Sequence, residues 1–393
     1  MQNAEQPFFS IVLPTKNRSQ VVGDAIESVL WQTFDDYELV IIDNDDSDAT
    51  KQVVEQYTDP RIRYVRTGEL SMPDNWDVGI RSASGTYVTV LADKHVLLPT
   101  ALQKIYDATQ LTNSRIITWE HQTFHDAEGH GYLQPSLATQ EWFVITTETI
   151  LGYYWATTEK QFIKGRNHLP RGYNSATHHS LIADISGELD RVCSYIAPDY
   201  TFGFAQLALE DSVYHIDEVL YAISVKHSNG RNLVVKRNLE DIWESFGGKE
   251  NFYNAVPVKS ASLINNQIYN DYMNMQVKMG GNLAHHPFDA VAYYAFLFIE
   301  IAQRTALGVD MSPEVKAWEQ ALNAEPEHIQ KAVRERVHRP SISVWGKLKR
   351  MIKLKLQEAR TSSSEQAHFR YYSTLLDAVR SHYAVSQASA YDK

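Results

Sequence analysis

Residues 8–14 read Phe8-Phe9-Ser10-Ile11-Val12-Leu13-Pro14, and Thr15-Lys16-Asn17-Arg18-Ser19 follow. The apolar burst has the length and composition of a strand buried on both faces. The polar stretch after it is a turn. Val22, Ala25, Ile26 and Val29 then recur at helical spacing, which predicts an amphipathic helix over 21–31. Outward from this unit the alternation repeats. Glu38-Leu39-Val40-Ile41-Ile42-Asp43 is a second strand ending on an acid; a loop over 44–48 and a helix over 49–57 come next. A third strand over 61–65, a helix over 73–83, a break at Gly85 and a fourth strand over 87–91 complete the series. Such alternation predicts an α/β protein with an open, Rossmann-like, largely parallel mixed sheet and crossover helices on its faces.

The pattern changes after about residue 110. A strand is expected over 115–119 and a helix over 202–209, with two short strands at 214–217 and 220–225. Residues 121–180 are rich in Gly, His, Thr and Asn, a composition that suits long loops over a site. From about 235 the chain reads as mainly helical. The expected division is a first domain over 1–234 and a helical C-terminal region over 235–393.

The chain has 393 residues, 44% of them hydrophobic and 22% charged, ordinary values for a folded globular protein. Its net charge of −11 argues against a general nucleic-acid binder, so no nucleic-acid partner is expected. One cysteine, Cys193, excludes an internal disulfide and suits a reducing compartment. The N-terminal residues 1–6 lack a basic region followed by an apolar one, so no secretory signal is expected. The longest apolar run, 290–299, would rise about 15 Å as a helix, roughly half a bilayer core. These features together predict a cytoplasmic protein.

Residues 344–360 depart from the acidic background, with a local net charge of +5. Trp345, Leu348, Ile352 and Leu356 recur there at helical spacing. A basic amphipathic segment over 341–360 fits an interfacial helix on the anionic inner face of the cell membrane, which would make the protein peripheral there. It equally fits a helix packed on its own protein with its lysines in water.

Several polar residues fall where an open α/β sheet collects ligands, at the C-terminal strand edges. Asp43 there can accept hydrogen bonds from a base or sugar, hold a metal, or cap the next helix. Asp93-Lys94-His95 puts an acid, a cation and an imidazole at the end of the fourth strand. Asp93 and His95 are metal-capable, but two residues cannot fill a coordination shell. Asp199, just before a helix, suits a general base or a cap. His227 follows a strand end, a place where a histidine is a ligand or is simply solvated. Tyr173 and Trp142 can stack on a sugar face or belong to the core.

Taken in order, 9–18, 25–33, 37–44, 72–79, 83–85 and 87–99 resemble the inverting family 2 glycosyltransferases of GT-A fold, with a weaker match over 197–228. The resemblance covers about a third of the chain. It implies transfer of a sugar, of hexosyl or N-acetylhexosaminyl type, from a nucleotide-sugar to an acceptor hydroxyl with inversion. By that similarity Pro14, Thr15 and Asn17 line the nucleotide pocket, and Asp43 matches the acid that recognises the base, usually uracil. Asp74 and Asn75 match a donor-facing polar pair. Asp199 matches the catalytic acid before the acceptor-side helix, and His227 a histidine that completes the metal site. The implied partners are a UDP-sugar donor and a glycan or lipid-linked acceptor, in polysaccharide or glycoconjugate assembly.

The sequence departs from the family at the metal motif. Lys94 stands where the principal metal-binding aspartate is usual. The leaving diphosphate still needs positive charge. Either Asp93, His95 and His227 hold Mg²⁺ or Mn²⁺, or the Lys94 ammonium supplies part of that charge and weakens the metal requirement. Lys94 also keeps open a non-catalytic protein of this fold that binds nucleotide-sugar or scaffolds an assembly. A nucleotidyltransferase is a further alternative, without a recognisable glycine- and lysine-rich activation motif here.

Overall fold

The computed structural model describes residues 6–127, 130–136, 138–155, 167–194, 196–226, 252–260, 262–337 and 371–391. Its first half alternates as the apolar pattern requires. β1 (Phe9–Thr15), α1 (Ser19–Leu30), β2 (Tyr37–Asp43), α2 (Ala49–Val54), β3 (Ile62–Arg66), α3 (Met72–Ser82) and β4 (Tyr87–Val90) follow one another. A short β5 (His95–Leu97) and α4 (Ala101–Leu111) come next.

β1 is the hinge of this arrangement. It pairs in parallel with β2 on one side and with β4 on the other, so the winding reverses direction across it. All seven of its residues are buried. Phe9, Ile11 and Leu13 face a core built with Val22, Ala25, Ile26 and Val29 of α1 and Leu102 and Ile105 of α4. Val12 faces the opposite core, with Val40, Ile42, Val88, Val90 and Trp76 and Ile80 of α3. Fully burying each large aliphatic side chain contributes about 1.5–3 kcal/mol, so β1 locks the two layers together.

Beyond β4 the sheet becomes mixed. β6 (Ile116–Ala127), β7 (His130–Leu133), β8 (Trp142–Thr146), β9 (Ser175–His178) and β10 (Ser212–Ser224) extend it to ten strands in the path β3-β2-β1-β4-β9-β6-β10-β5, with β7 on β6 and β8 on β10. β9 lies antiparallel between β4 and β6, while β10 runs parallel to β6. The helices of this part are α5 (Thr147–Tyr154), α6 (His179–Leu189) and α7 (Pro198–Leu209).

Two expectations need correction here. The described part of 121–180 is not mainly loop but carries most of β6, then β7, β8, α5 and β9. β9 and β6 lie inside the sheet and β7 and β8 flank its path, and apolar periodicity does not mark this stretch. The two short strands expected at 214–217 and 220–225 are one strand, β10, whose register against β6 shifts between Ile216 and Val219 and again between Val219 and Tyr221. That irregularity is what the sequence reads as a break.

The helical extension comprises α8 (Ile264–Met279), α9 (Ala290–Ala306), α10 (Ser312–Asn323), α11 (Glu327–Val337) and α12 (Leu375–Tyr391), with a 3-10 turn at Gly281–His285. The apolar run 290–299 belongs to α9, which buries Tyr293, Tyr294, Leu297 and Ile301 against Trp318, Leu322 and Val333. Among the described residues no helix is long and apolar enough to cross a membrane. α12 returns to the sheet, where Leu375, Leu376 and Val379 pack on Val96, Phe124 and Ala222. The expected boundary at 234 and the basic segment 341–360 lie outside the described residues.

Candidate functional site

The reversal of winding at β1 leaves a crevice beyond the C-terminal ends of β1, β2 and β4, the usual ligand position in such sheets. Thr15 ends β1 and Asp43 ends β2, and the two are register partners. Both are buried. Asp93 follows β4, and its Oδ2 accepts the Thr15 hydroxyl at 3.1 Å. Asn17, in the exposed turn after β1, has a left-handed backbone (φ 54°).

Asp43 is closed off from solvent. Its Oδ1 accepts the Asp45 N–H at 2.8 Å and its Oδ2 the Tyr64 hydroxyl at 2.7 Å. Burial pushes its carboxyl above the usual range, against these hydrogen bonds. Asn75 is buried in α3, where its Nδ2 donates to the Ile42 carbonyl and its Oδ1 accepts from Thr67. Asp74, beside it, is half-exposed and takes Arg191 at 2.8 Å and the Ser71 hydroxyl at 2.6 Å. Ser71 caps α3 by accepting the Asp74 N–H.

The second wall comes from the segment before β9. The Val90 N–H donates to the Gly172 carbonyl at 3.1 Å, which ties residues 167–174 to the end of β4. Gly172 has φ +79° and a Cβ there would sit 3.2 Å from Val90, so this approach requires glycine. Its neighbours Arg171 and Tyr173 are thereby delivered to the crevice. The Tyr173 hydroxyl donates to Asp199 Oδ2 at 3.2 Å. Arg171 lies over the rings of Tyr173 (4.9 Å) and Tyr200 (5.5 Å). Burial works against its charge, and Tyr173, Tyr200 and Asp199 more than offset it, so the guanidinium stays protonated.

Asp199 itself sits in the first turn of α7, where the helix dipole favours a carboxylate. Lys94 is the link between the two walls. Burial pushes its ammonium below the usual lysine range, while the charges of Asp93 and Asp199 hold it up. The fields of the acid at the β4 end and the acid on α7 thus both reach this cation, with Arg18 opposing them.

His95 is 5% exposed, edge-on to Tyr173 and 5.2 Å from the Tyr221 ring. Burial pushes its imidazole well below the usual value, and Lys94 adds to this, so it is neutral. Its Nδ1 is buried with no hydrogen-bond partner, as a ligand nitrogen would be. Among the described residues, however, no third histidine, cysteine or carboxylate closes with Asp93 and His95. The set that does converge is different: Glu120, His168 and His215, whose ligand atoms all lie within 4.8 Å of one another.

Residues 10–177 match the family described as Glycosyl transferase family 2. Over that stretch the chain is similar to family 2 glycosyltransferases. A β-1,3-glucosyltransferase of Campylobacter jejuni, named for GalNAc(5)-diNAcBac-PP-undecaprenol, is 37% identical over 103 residues, 25% of this chain and 33% of that enzyme. The glycosyltransferase GlyG of Streptococcus pneumoniae is 20% identical over 128 residues, 31% of this chain and 42% of that protein. The chain therefore spans less than half the length of these relatives. In fold, S. aureus TarS 1–349 in complex with UDP-GlcNAc superposes with a TM-score of 0.51 at 16% identity, covering 83% of each chain. The sheet with its helices is GT-A-like, and the helical extension follows it.

Within residues 10–177, Pro14, Thr15, Asn17, Asp43, Asp74, Asn75, Asp93, Lys94 and His95 all fall at or beside the C-terminal ends of β1, β2 and β4 or on α3. Asp199 joins them through Lys94 and Tyr173. His227 lies outside the described residues. Trp142 packs in the α1–α4 core and donates its indole N–H to Glu218 at 2.7 Å. Arg171, Glu120, His168 and His215 went unnoticed in the sequence. The signal was an arginine within Leu169-Pro170-Arg171-Gly172-Tyr173, and Glu120 and His215 each next to a buried apolar residue, Trp119 and Ile216, on their strands.

Proposed function

We propose that the protein transfers a sugar, with inversion, from a UDP-type nucleotide-sugar to a hydroxyl of a glycan or lipid-linked acceptor. The observation that carries this reading is Asp199, which accepts the Tyr173 hydroxyl at 3.2 Å and lies within electrostatic reach of Lys94, the neighbour of Asp93. It puts a cation and a base on opposite walls of one crevice. In this reading the Asp199 carboxylate takes the proton of the acceptor hydroxyl as that oxygen bonds to the anomeric carbon. The bond from that carbon to the diphosphate breaks, and Lys94 and Arg171 meet the charge left on the leaving group. Tyr173 holds the Asp199 carboxylate in place. Asp43 and Thr15 would face the nucleotide, and Asp74 and Asn75 the donor side.

A divalent ion such as Mg²⁺ or Mn²⁺ would supply further positive charge at the diphosphate, with Asp93 and His95 as the described residues able to hold it. With Lys94 in the same place, the metal requirement is weakened. The C. jejuni relative's name supports a lipid-linked acceptor, and the basic segment 341–360 supports peripheral attachment at the inner face of the membrane.

The test is a thermal-shift panel of nucleotide diphosphates and nucleotide-sugars, each with Mn²⁺, Mg²⁺ or EDTA, followed by an assay of UDP release. At about 100 times Kd a ligand of the folded state adds about 2.7 kcal/mol. A UDP-dependent rise that survives EDTA, with UDP release lost in Asp199→Asn, is the expected result. A rise without UDP release under any acceptor would favour the binding protein; pyrophosphate release would favour nucleotidyl transfer.

A further inference from the structure

We propose that Glu120, His168 and His215 form a mononuclear site for a divalent transition-metal ion of the zinc type, separate from the Asp93–Lys94 site. The three come from different parts of the fold. Glu120 lies on β6, His215 on its parallel neighbour β10, and His168 in the segment that leads to β9. His215 is fully buried, whereas Glu120 and His168 are partly exposed. The two imidazole rings meet at 63° with centroids 4.6 Å apart, and His215 Nε2 is 3.7 Å from Glu120 Oε1. In a tetrahedral site with bonds of about 2.1 Å, donor atoms are about 3.4 Å apart, so this set needs only a modest closure.

The surroundings orient the ligands as a metal site requires. Thr118 Oγ1 lies 3.0 Å from His215 Nδ1 and, with Thr118 accepting from that nitrogen, leaves Nε2 as the ligand. The Asn167 amide donates to Glu120 Oε2 at 3.2 Å and leaves Oε1 towards His215. Nε2 of His215 has no hydrogen-bond partner although it is buried. Two imidazoles and one carboxylate suit Zn²⁺ or Co²⁺ better than Mg²⁺, and the exposed side leaves a fourth position for water.

Such an ion would pin residues 167–174 to β6 and β10. That segment carries Arg171 and Tyr173, so the ion would brace one wall of the crevice without touching the donor.

The experiment uses the full chain without an affinity tag, stripped with chelator. Co²⁺ titration reads the visible bands of a tetrahedral ion, and elemental analysis after Zn²⁺ dialysis reads stoichiometry. One ion per chain, a Co²⁺ spectrum and a raised Tm are expected in the wild type and in Asp93→Asn. Loss of the spectrum and of the bound zinc is expected in His168→Gln and in Glu120→Gln, both at partly exposed positions and both checked for fold by circular dichroism. No binding by the wild type, binding that persists in both of these variants, or binding lost in Asp93→Asn alone would overturn the proposal. None of these readouts depends on transfer activity.

Discussion

The side-chain carboxyl of Asp271, in α8 of the helical extension, accepts the backbone N–H of Ala197 at 3.0 Å, two residues before Asp199. Asp271 is fully buried. The extension therefore holds the start of the helix that carries the proposed base. Asp271→Leu would leave the Ala197 N–H unpaired in the interior and should cost about 1–3 kcal/mol. Asp271→Asn keeps an acceptor and should fold. If Asp271 positions Asp199, residual activity in these variants falls in kcat, with KM for the donor little changed.

The same residue predicts a pH dependence. Burial pushes the Asp271 carboxyl well above its ordinary value of 3.8, against hydrogen bonds from Ala197 and Ile196. The folded state then keeps a proton that the unfolded chain releases above about pH 3.9, so Asp271 makes stability fall as pH rises from there. Chemical denaturation across pH 4–7 should show a flatter profile for Asp271→Asn. An identical profile would count against the shift.

Asp199→Asn should lower transfer by about 10²- to 10⁴-fold while UDP still binds, since it keeps the shape of the side chain and removes the proton acceptor. Tyr173→Phe should cost less, because it removes one hydrogen bond to Asp199 and leaves the ring. Steady-state kinetics beside UDP thermal shifts separates the two effects. Full activity in Asp199→Asn would move the base elsewhere.

Lys94→Met should abolish or sharply reduce transfer. Its stability has a definite sign. The folded-state value of Lys94 lies below the ordinary 10.5, chiefly through burial. Between the two values the unfolded chain holds a proton that the folded chain has released. Wild-type stability should therefore rise with pH towards the ordinary lysine range, relative to Lys94→Met. Parallel denaturation curves at neutral and alkaline pH check this.

Gly85→Ala should destabilise without touching the crevice. A Cβ at Gly85 would lie 2.6 Å from the backbone nitrogen of Ser10, whose hydroxyl accepts the Gly85 N–H. Backbone cannot move aside as a side-chain tip can, so a loss of about 1–3 kcal/mol is expected from thermal denaturation.

The sequence by itself determined the wound half of the molecule. Phe9, Ile11 and Leu13 alternate with Ser10 and Val12 along β1, and Val22, Ala25, Ile26 and Val29 recur along α1. Each pattern carries its own burial direction, so the strand and helix periods mark the first four strands and their helices, while their order in the sheet, β3-β2-β1-β4, belongs to the tertiary structure. Asp43, Asp93 and Lys94 were legible because they end strands of that series. The tertiary structure decided the rest. The start of β6 and both halves of β10 were legible, but only their pairing shows how far β6 runs and that the two halves are one strand. Arg171, Tyr173 and Asp199 meet because Gly172 lets its segment close on Val90. Glu120, His168 and His215 are up to 95 positions apart in the chain, and Asp271 reaches Ala197 from 74 residues away. Local spacing records which face a side chain takes on its own element. It holds nothing about contacts between distant segments, which arise only when the sheet and the helical extension pack together.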